Sequence, residues 1–209
     1  MAAGFLSDPA LHPGWPAELR HGDVLLHPLR RSDADAWARL RRDNREWLAP
    51  WEPSATADWA QRHTPAVYRG MRRAVRRRAA QGLSLPFAVR HQGRLVGQVT
   101  LDNVVRGALR SAHVGYWIDR AAAGRGTASL AVALACDHAF GPVGLHRIQA
   151  DVRPENAASR RLVGRLGFRE EGLFRAYLDI DGDWRDHVGY ALLATDHPGG
   201  VVAHWRQGA

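Results

Sequence analysis

The segment Ala121-Ala122-Ala123-Gly124-Arg125-Gly126-Thr127-Ala128-Ser129 lies between an apolar run, residues 114–118, and an alanine-rich segment that extends to Phe140. The apolar run is typical of a strand and the alanine-rich segment of a helix, so Gly-x-Gly forms a tight loop between them. Backbone N–H groups converge in such a loop, and the positive end of the helix dipole lies behind them. The sequence therefore predicts an anion site, usually for phosphates, at this junction.

Hydrophobic periodicity and turn residues on either side of this junction predict the other elements. A hairpin is indicated by His91-Gln92-Gly93 between two apolar runs. Along the chain, predicted strands come first and are followed by elements in the order β-α-β-α-β-β. This order favours an α+β layered fold with a mixed, mostly antiparallel central sheet flanked by helices. The predicted strands are 24–29, 87–90, 95–100, 112–118, 147–152, 168–177 and 184–193, and the predicted helices run from Ser32 or Asp33 to Trp47 and over 64–81, 127–140 and 156–166.

The chain length favours one principal domain. At 209 residues, it is long enough for a single core but short for two. Residues 1–20, which contain several prolines and glycines, are predicted to be a loosely ordered lead-in. Residues 21–196 then form the domain, and 197–209 a C-terminal tail.

Composition limits the partners and the compartment. The sequence shows neither a long uncharged apolar run nor a secretory leader, which favours a cytoplasmic protein without membrane contact. Cys136 is the single cysteine, so no internal disulfide is expected, and no His, Cys, Asp and Glu spacing suggests a metal site. The formal net charge is +8, and all 29 basic side chains are arginine, which favours acidic partners such as ribosomal RNA or a polyphosphate.

The densest run of arginines lies in residues 69–78. Its members occur at helical spacing, so a solvated helix face is the simpler interpretation, and contact with RNA is the alternative. No aromatic side chains alternate with them, which argues against a module that reads bases. The arginines that share this spacing are Arg69, Arg72, Arg73, Arg76 and Arg77.

Three motifs make the chain similar to the GCN5-related N-acetyltransferase (GNAT) superfamily. The strand–loop–helix of residues 114–140 resembles the family's acetyl-CoA motif, and residues 156–168 (NAASRRLVGRLGF) match its Asn-x-x-Ser…Leu-Gly-Phe block. Residues 177–187 (YLDIDGDWRDH) resemble the branch that acetylates N-termini of ribosomal proteins. The resemblance spans residues 22–195. It departs from the family at Ala121, where Gln or Arg is usual, and at His113, where many relatives have Glu.

The resemblance implies the GNAT acyl-CoA acyltransferase fold with acetyl-CoA as the donor. In the family, loop amides bind the pyrophosphate and the preceding strand pairs with the pantetheine arm. Asn156 corresponds to a residue that hydrogen-bonds this arm, although a helix N-cap after Pro154 is an equally simple role. The residues implied to bind the cofactor are Tyr116, Trp117, Ile118, Gly124, Arg125, Gly126, Thr127, Ala128, Ser129, Asn156 and Arg160.

Acetyl transfer to an amine needs a base for the amine and an acid for the leaving thiol. His113 is the first candidate for the base, because it lies beside the cofactor strand and imidazole titrates near neutral pH. The alternatives are Asp102, Asn103 and Asp151, or a purely structural histidine.

The resemblance implies a late tyrosine, Tyr177, as the acid. Ser159 is the fallback, and a core aromatic with a satisfied hydroxyl is the structural alternative for Tyr177. Trp184, Asp186 and His187 are typical of the ribosomal branch, although a role in fixing the last hairpin would also explain them.

Together these motifs imply an N-acetyltransferase that transfers acetyl by direct attack on the thioester. The acceptor implied by the branch is the N-terminal α-amino group of a ribosomal protein, with alanine or serine first. Two alternatives stay open: a small amine such as an antibiotic or polyamine as acceptor, or a non-catalytic acyl-CoA-binding regulatory module. A homodimer is compatible with the sequence.

Overall fold

A computed structural model describes residues 14–208 of the chain. Three short 3-10 turns, Arg31–Asp33, Ala49–Trp51 and Arg120–Ala122, join longer elements. The helices are α1 (Ala34–Asp43), α2 (Arg45–Leu48), α3 (Trp59–Arg62), α4 (Pro65–Ala80), α5 (Thr127–Phe140), α6 (Ala157–Arg165) and α7 (Val201–Gln207). The strands are β1 (Leu19–His21), β2 (Val24–Pro28), β3 (Ser84–His91), β4 (Arg94–Val105), β5 (Ser111–Ile118), β6 (Arg147–Val152), β7 (Arg169–Ile180) and β8 (Asp183–Leu193).

All eight strands form one sheet in the order β1-β2-β3-β4-β5-β6-β8-β7. Every neighbouring pair is antiparallel except β5 and β6, which are parallel. This arrangement confirms the predicted mixed, mostly antiparallel sheet flanked by helices.

The parallel pair opens into a wedge. Its register ends at His113 opposite Gln149. Beyond that point β5 stays paired with β4 as far as Ile118, whereas β6 stays paired with β8 as far as Val152. Residues 114–118 therefore have no strand partner on their β6 side. There the Ile118 oxygen accepts from Trp47 Nε1 at 3.1 Å, and the outward backbone groups of Tyr116 stay available to another molecule.

The two faces of the sheet differ in what covers them. Ala112 and Val114 of β5 and Ile148 of β6 belong to the core beneath α5, which we call the α5 face. Side chains alternate along strands, so His113 and Gly115 point to the opposite, α4 face. There α1 contacts β4 and α4 contacts β3, while His113 is part-exposed and Gly115 exposed. The α4 face is therefore open beside the wedge.

Segments on both sides of the predicted domain, residues 21–196, pack against its core. The Trp15 ring packs edge-on against Phe87 at a centroid distance of 5.1 Å, and Leu19 lies in β1. At the other end α7 packs against α5. These segments are too short for hydrophobic periodicity to reveal them, so their contacts with the core do not follow from the sequence pattern. The rest of the lead-in, residues 1–13, lies outside the described residues.

A buried arginine joins α1 to the segment before α3. The Arg41 side chain is 4% exposed, and its Nη2 lies 2.6 Å from Glu52 Oε1. Its guanidinium carbon is 5.1 Å from the ring centroids of both Trp59 and Trp117. Burial lowers the pKa of Arg41, and the Glu52 carboxylate opposes that shift. This Arg41 cluster ties the 49–58 segment to β5, the strand that borders the wedge.

The same cluster makes the fold sensitive to acid through His63. The ring of this buried histidine lies 4.1 Å from that of Trp59, tilted by 46°, and hydrogen-bonds the Trp59 carbonyl at 2.7 Å. Burial, aided by the positive charge of Arg41, lowers the pKa of His63 to about 4. An unfolded chain would bind this proton at a pH near 6.5, so protonation favours unfolding.

We expect the free energy of unfolding to be highest above pH 6.5 and to fall by about 2 kcal/mol as the pH drops toward 4. Urea unfolding at pH 7 and pH 4.5 measures this change. The slope should be smaller in His63→Gln, although His27 and His138, whose pKa values burial also lowers, leave part of it in place. An unchanged slope in His63→Gln would contradict the assignment.

Candidate active site

The glycine loop has the geometry of the predicted anion site. Gly124 and Gly126 adopt φ values of +73° and +77°, a left-handed conformation that other residues rarely tolerate. Helix α5 begins directly after Gly126 without a side-chain cap. Within residues 14–208, the N–H groups of 124–129 donate to no protein acceptor. Six free donors at a helix N-terminus can together bind a phosphate or pyrophosphate.

The turn before this loop is held by Asn44, a residue that the sequence did not suggest. Its amide nitrogen donates to Asp119 Oδ1 at 3.0 Å, and its oxygen accepts from the Arg120 N–H at 2.9 Å. Asp119 Oδ1 also accepts from the Ala121 N–H at 3.2 Å. The loop is thus supported from the α1–α2 junction, while Ala121 contributes only its backbone.

On its β5 side the wedge is bordered by three residues that the family resemblance implies bind the cofactor. Tyr116 faces α5, Trp117 packs toward α1 and α4, and Ile118 is buried in the core. The Tyr116 hydroxyl is buried beside Ser159 without a hydrogen bond of normal geometry. Burial raises the pKa of Tyr116 to about 12, so this phenol stays protonated. An orphaned buried hydroxyl can donate to a molecule that enters the wedge.

Helix α6 borders the wedge on the α5 face, and Asn156 caps it. The Asn156 side-chain oxygen accepts from the Ser159 N–H at 3.0 Å, so the N-cap interpretation is confirmed. The amide nitrogen of this half-buried side chain donates to no group in the described chain and remains available. Arg160 instead donates from Nε to the Tyr190 hydroxyl at 3.0 Å, which turns it toward β8.

On the α4 face, two residues proposed separately as the base form a pair. His113 Nδ1 lies 3.0 Å from Asp151 Oδ2, and Gln149 donates to Asp151 Oδ1 at 2.9 Å. Burial acts to raise the pKa of Asp151, but these two hydrogen bonds leave it below its usual value. The ionised carboxylate can only accept, so Nδ1 carries the hydrogen of this bond. Nε2 of His113 makes no hydrogen bond within residues 14–208. A histidine oriented in this way can act chemically as a general base.

Tyr177 lies next to this pair. Its ring is 5.8 Å from that of His187, and burial, followed by the negative charge of Asp151, raises the pKa of Tyr177. A bulge in β7 sets its position: Ala176 has φ +45°, and its N–H donates to Asp186 at 2.7 Å. Of the residues typical of the ribosomal branch, His187 therefore lies in the site, and Asp186 holds the bulge that positions Tyr177.

The remaining candidates do not join the His113–Asp151 pair. Asp102 is opposite His113 in the register of β4 and β5, but its carboxylate binds Arg78 at 2.8 Å. Asn103 follows it in a left-handed conformation. Trp184 is 62% exposed near the β7–β8 turn. Ser159 lies on the α5 face, so the two acid candidates, Ser159 and Tyr177, are on opposite faces of the sheet.

Two structural features are absent from residues 14–208. None of their helices combines the length and hydropathy that crossing a bilayer requires. Their His, Cys, Asp and Glu side chains form no group of three or more suited to hold a metal ion.

Comparison with known proteins identifies a domain and several relatives. The acetyltransferase (GNAT) domain family matches residues 23–169. Over 168 residues, 78% of this chain and 85% of the relative, the chain is 33% identical to ribosomal protein uS5-alanine N-acetyltransferase of Escherichia coli.

Two solved structures are similar throughout. One is Mycobacterium smegmatis RimJ in complex with CoA-disulfide, with a TM-score of 0.90 and 43% identity, covering 94% of this chain and 97% of that one. The other is the ribosomal-protein-S5-alanine acetyltransferase of Vibrio fischeri, with a TM-score of 0.78 and 29% identity, covering 86% and 98%.

Proposed function

The chain belongs to the GNAT family and is an N-acetyltransferase, and on this premise we propose that its acceptor is the N-terminal α-amino group of a ribosomal protein, alanine or serine first. The observation that carries the proposal is the wedge between β5 and β6. It has the undonated N–H groups of the glycine loop on one side and the His113 ring, held by Asp151, on the other. Similarity to relatives named for ribosomal proteins supports the choice of acceptor.

We assign acetyl-CoA to the loop and the wedge. The N–H groups of 124–129 would bind its pyrophosphate, with Thr127, Ala128 and Ser129 in the first turn of α5. Residues 116–118 of β5 would pair with the pantetheine arm, and the Asn156 amide would hold it from α6. Acetyl-CoA supplies the acetyl group as a thioester, and a β5 N–H can stabilise the developing oxyanion.

His113 is the proposed base. An α-amino group has a pKa of about 8, so only a minority is neutral near pH 7. Nε2 of His113 accepts the amine proton, and Asp151 holds the ring in the required tautomer. The cleft above Gly115 gives the amine access, because a β-carbon built there would meet no atom within 4 Å.

Two residues on opposite faces of the sheet are candidates for the acid that protonates the leaving thiol, and mutating each in turn distinguishes them. Tyr177 shares the α4 face with the base, while Ser159 adjoins the buried Tyr116 hydroxyl. We expect Tyr177→Phe to lower kcat by about 100-fold and Ser159→Ala to have a smaller effect. The initial rate of thiol release at saturating acetyl-CoA measures both. If the larger loss occurs in Ser159→Ala, the acid role passes to Ser159.

The proposed reaction is tested with purified protein, acetyl-CoA and peptides that copy the N-termini of small-subunit ribosomal proteins. We expect mass gain at the α-amine and equal release of thiol, and no reaction with a peptide whose N-terminus is already blocked. Turnover of polyamines or aminoglycosides with none on peptides would favour the small-amine alternative. Binding of acetyl-CoA without any turnover would favour a regulatory module.

We further propose that the outer face of α4 contacts ribosomal RNA. Arg69, Arg73, Arg76 and Arg77 are exposed and form no ion pair within the described part of the chain, whereas Arg78 is bound to Asp102. Such a row of cations suits a phosphate backbone. Binding to ribosomal RNA should weaken steeply with salt and be lost in Arg73→Glu/Arg76→Glu. If that variant binds RNA like the wild type, the arginine face is only solvated.

A further inference from the structure

We propose that Trp205 of the C-terminal helix is a positioning residue for the pyrophosphate loop, an inference that rests on the proposed binding of acetyl-CoA there. From the sequence, residues 197–209 are predicted only to be a C-terminal tail. In the structure, α7 lies against α5 and its indole reaches the loop.

The carboxylate of one α5 residue holds the start of helix α7. Asp137, in the last turn of α5, accepts from the Val201 N–H at 2.6 Å and from the Val202 N–H at 3.1 Å. These bonds cap the start of α7. Val201 is 1% exposed and part of the main core. The direction of α7 relative to α5 is therefore set at its first residue, and Trp205 follows one turn later.

The indole of Trp205 lies directly on Gly126. A β-carbon added to Gly126 would be 2.9 Å from Trp205 Cζ2, closer than side chains pack. The indole thus occupies the space that a side chain at the loop's second glycine would need. Trp205 itself is half-buried and packs against the main core, so core contacts hold the indole in its position on the loop.

This contact restrains a loop that has few others. Gly124 and Arg125 are exposed, and a β-carbon at Gly124 would touch nothing within 4 Å. Glycine backbones lose much conformational entropy when they become ordered. A ring packed on Gly126 removes part of that freedom before the ligand arrives, which favours binding through preorganisation. Without it, the free N–H groups would converge only when the pyrophosphate binds.

The test compares Trp205→Ala and Trp205→Phe with Gln207→Ala, an exposed change on the same helix. Calorimetric titration of the full chain with CoA should give a Kd on the order of tenfold higher in Trp205→Ala, as supporting contacts to a site commonly contribute. Trp205→Phe should be intermediate, and Gln207→Ala should match the wild type. The KM for acetyl-CoA should rise in parallel, while the KM for peptide stays constant.

A second donor separates positioning from general damage to the fold. Acetyl-pantetheine carries the thioester and the arm but no pyrophosphate, so its kcat/KM should be the same in Trp205→Ala and the wild type. Equal losses with both donors, or an unchanged Kd for CoA, would overturn the inference. Failure of the wild type to bind CoA would instead overturn the proposed donor, and the inference with it.

Discussion

Replacing His113 with glutamine is expected to lower kcat for peptide acetylation by about 100-fold or more, the usual contribution of a general base. Glutamine keeps a polar group that can face Asp151 but cannot take up a proton. Because His113 is part-exposed on the strand and outside the core, the variant should fold normally. Stopped-time assays at saturating acetyl-CoA and peptide, with unfolding measured in parallel, test this expectation.

Asp151→Asn should have an effect of similar size for a different reason. An amide at this position can donate as well as accept, so it no longer enforces the hydrogen on Nδ1. CoA binding should remain at the wild-type level in both variants, because neither residue adjoins the glycine loop.

The matched comparison is Asp102→Asn. Asp102 lies opposite His113 in the register, yet it is bound to Arg78. We expect its loss to change kcat little. A rate that survives His113→Gln but falls in Asp102→Asn would transfer the base role to Asp102.

The second large effect is expected on stability. Glu52→Gln should reduce the free energy of unfolding by about 3 kcal/mol, because it leaves the charge of Arg41 buried without its partner. Arg41 is 4% exposed and Glu52 24%, so solvent compensates little. Equilibrium unfolding in urea at pH 7 measures the loss.

An exposed ion pair provides the control. Glu155 pairs with Arg153 at 3.2 Å but is 63% exposed. Glu155→Gln should cost less than about 0.5 kcal/mol. Equal losses in Glu52→Gln and Glu155→Gln would show that burial of Arg41 does not set the energy of its pair.

The fold was predictable largely because its signals are local. Helix α5 was predicted with its observed bounds, since glycine punctuation and an apolar run mark both of its ends. The Gln92-Gly93 turn was equally readable: both residues have positive φ, as a two-residue hairpin demands. The helix expected from Ser32 or Asp33 to Trp47 is instead divided at Asn44, because this side chain turns toward Asp119.

The site was predictable only in parts, because its geometry depends on pairing between distant segments. His113 and Asp151 were proposed as alternatives, since a sequence does not state that β5 and β6 run parallel with His113 opposite Gln149. Asn44 lies far along the chain from the turn before the loop, and Trp205 far from the loop itself, and neither residue belongs to a motif. Periodicity describes one element at a time and cannot reveal such contacts.

The wedge between β5 and β6 also has a kinetic consequence. Since the glycine loop opens on the α5 face and His113 on the α4 face, the proposed binding sites would let the nucleotide and a protein acceptor approach through separate entrances. Neither has to leave before the other can exchange, so both can be bound at once. Initial-rate plots should therefore show intersecting lines, and a ribosomal particle could remain docked while spent CoA is replaced.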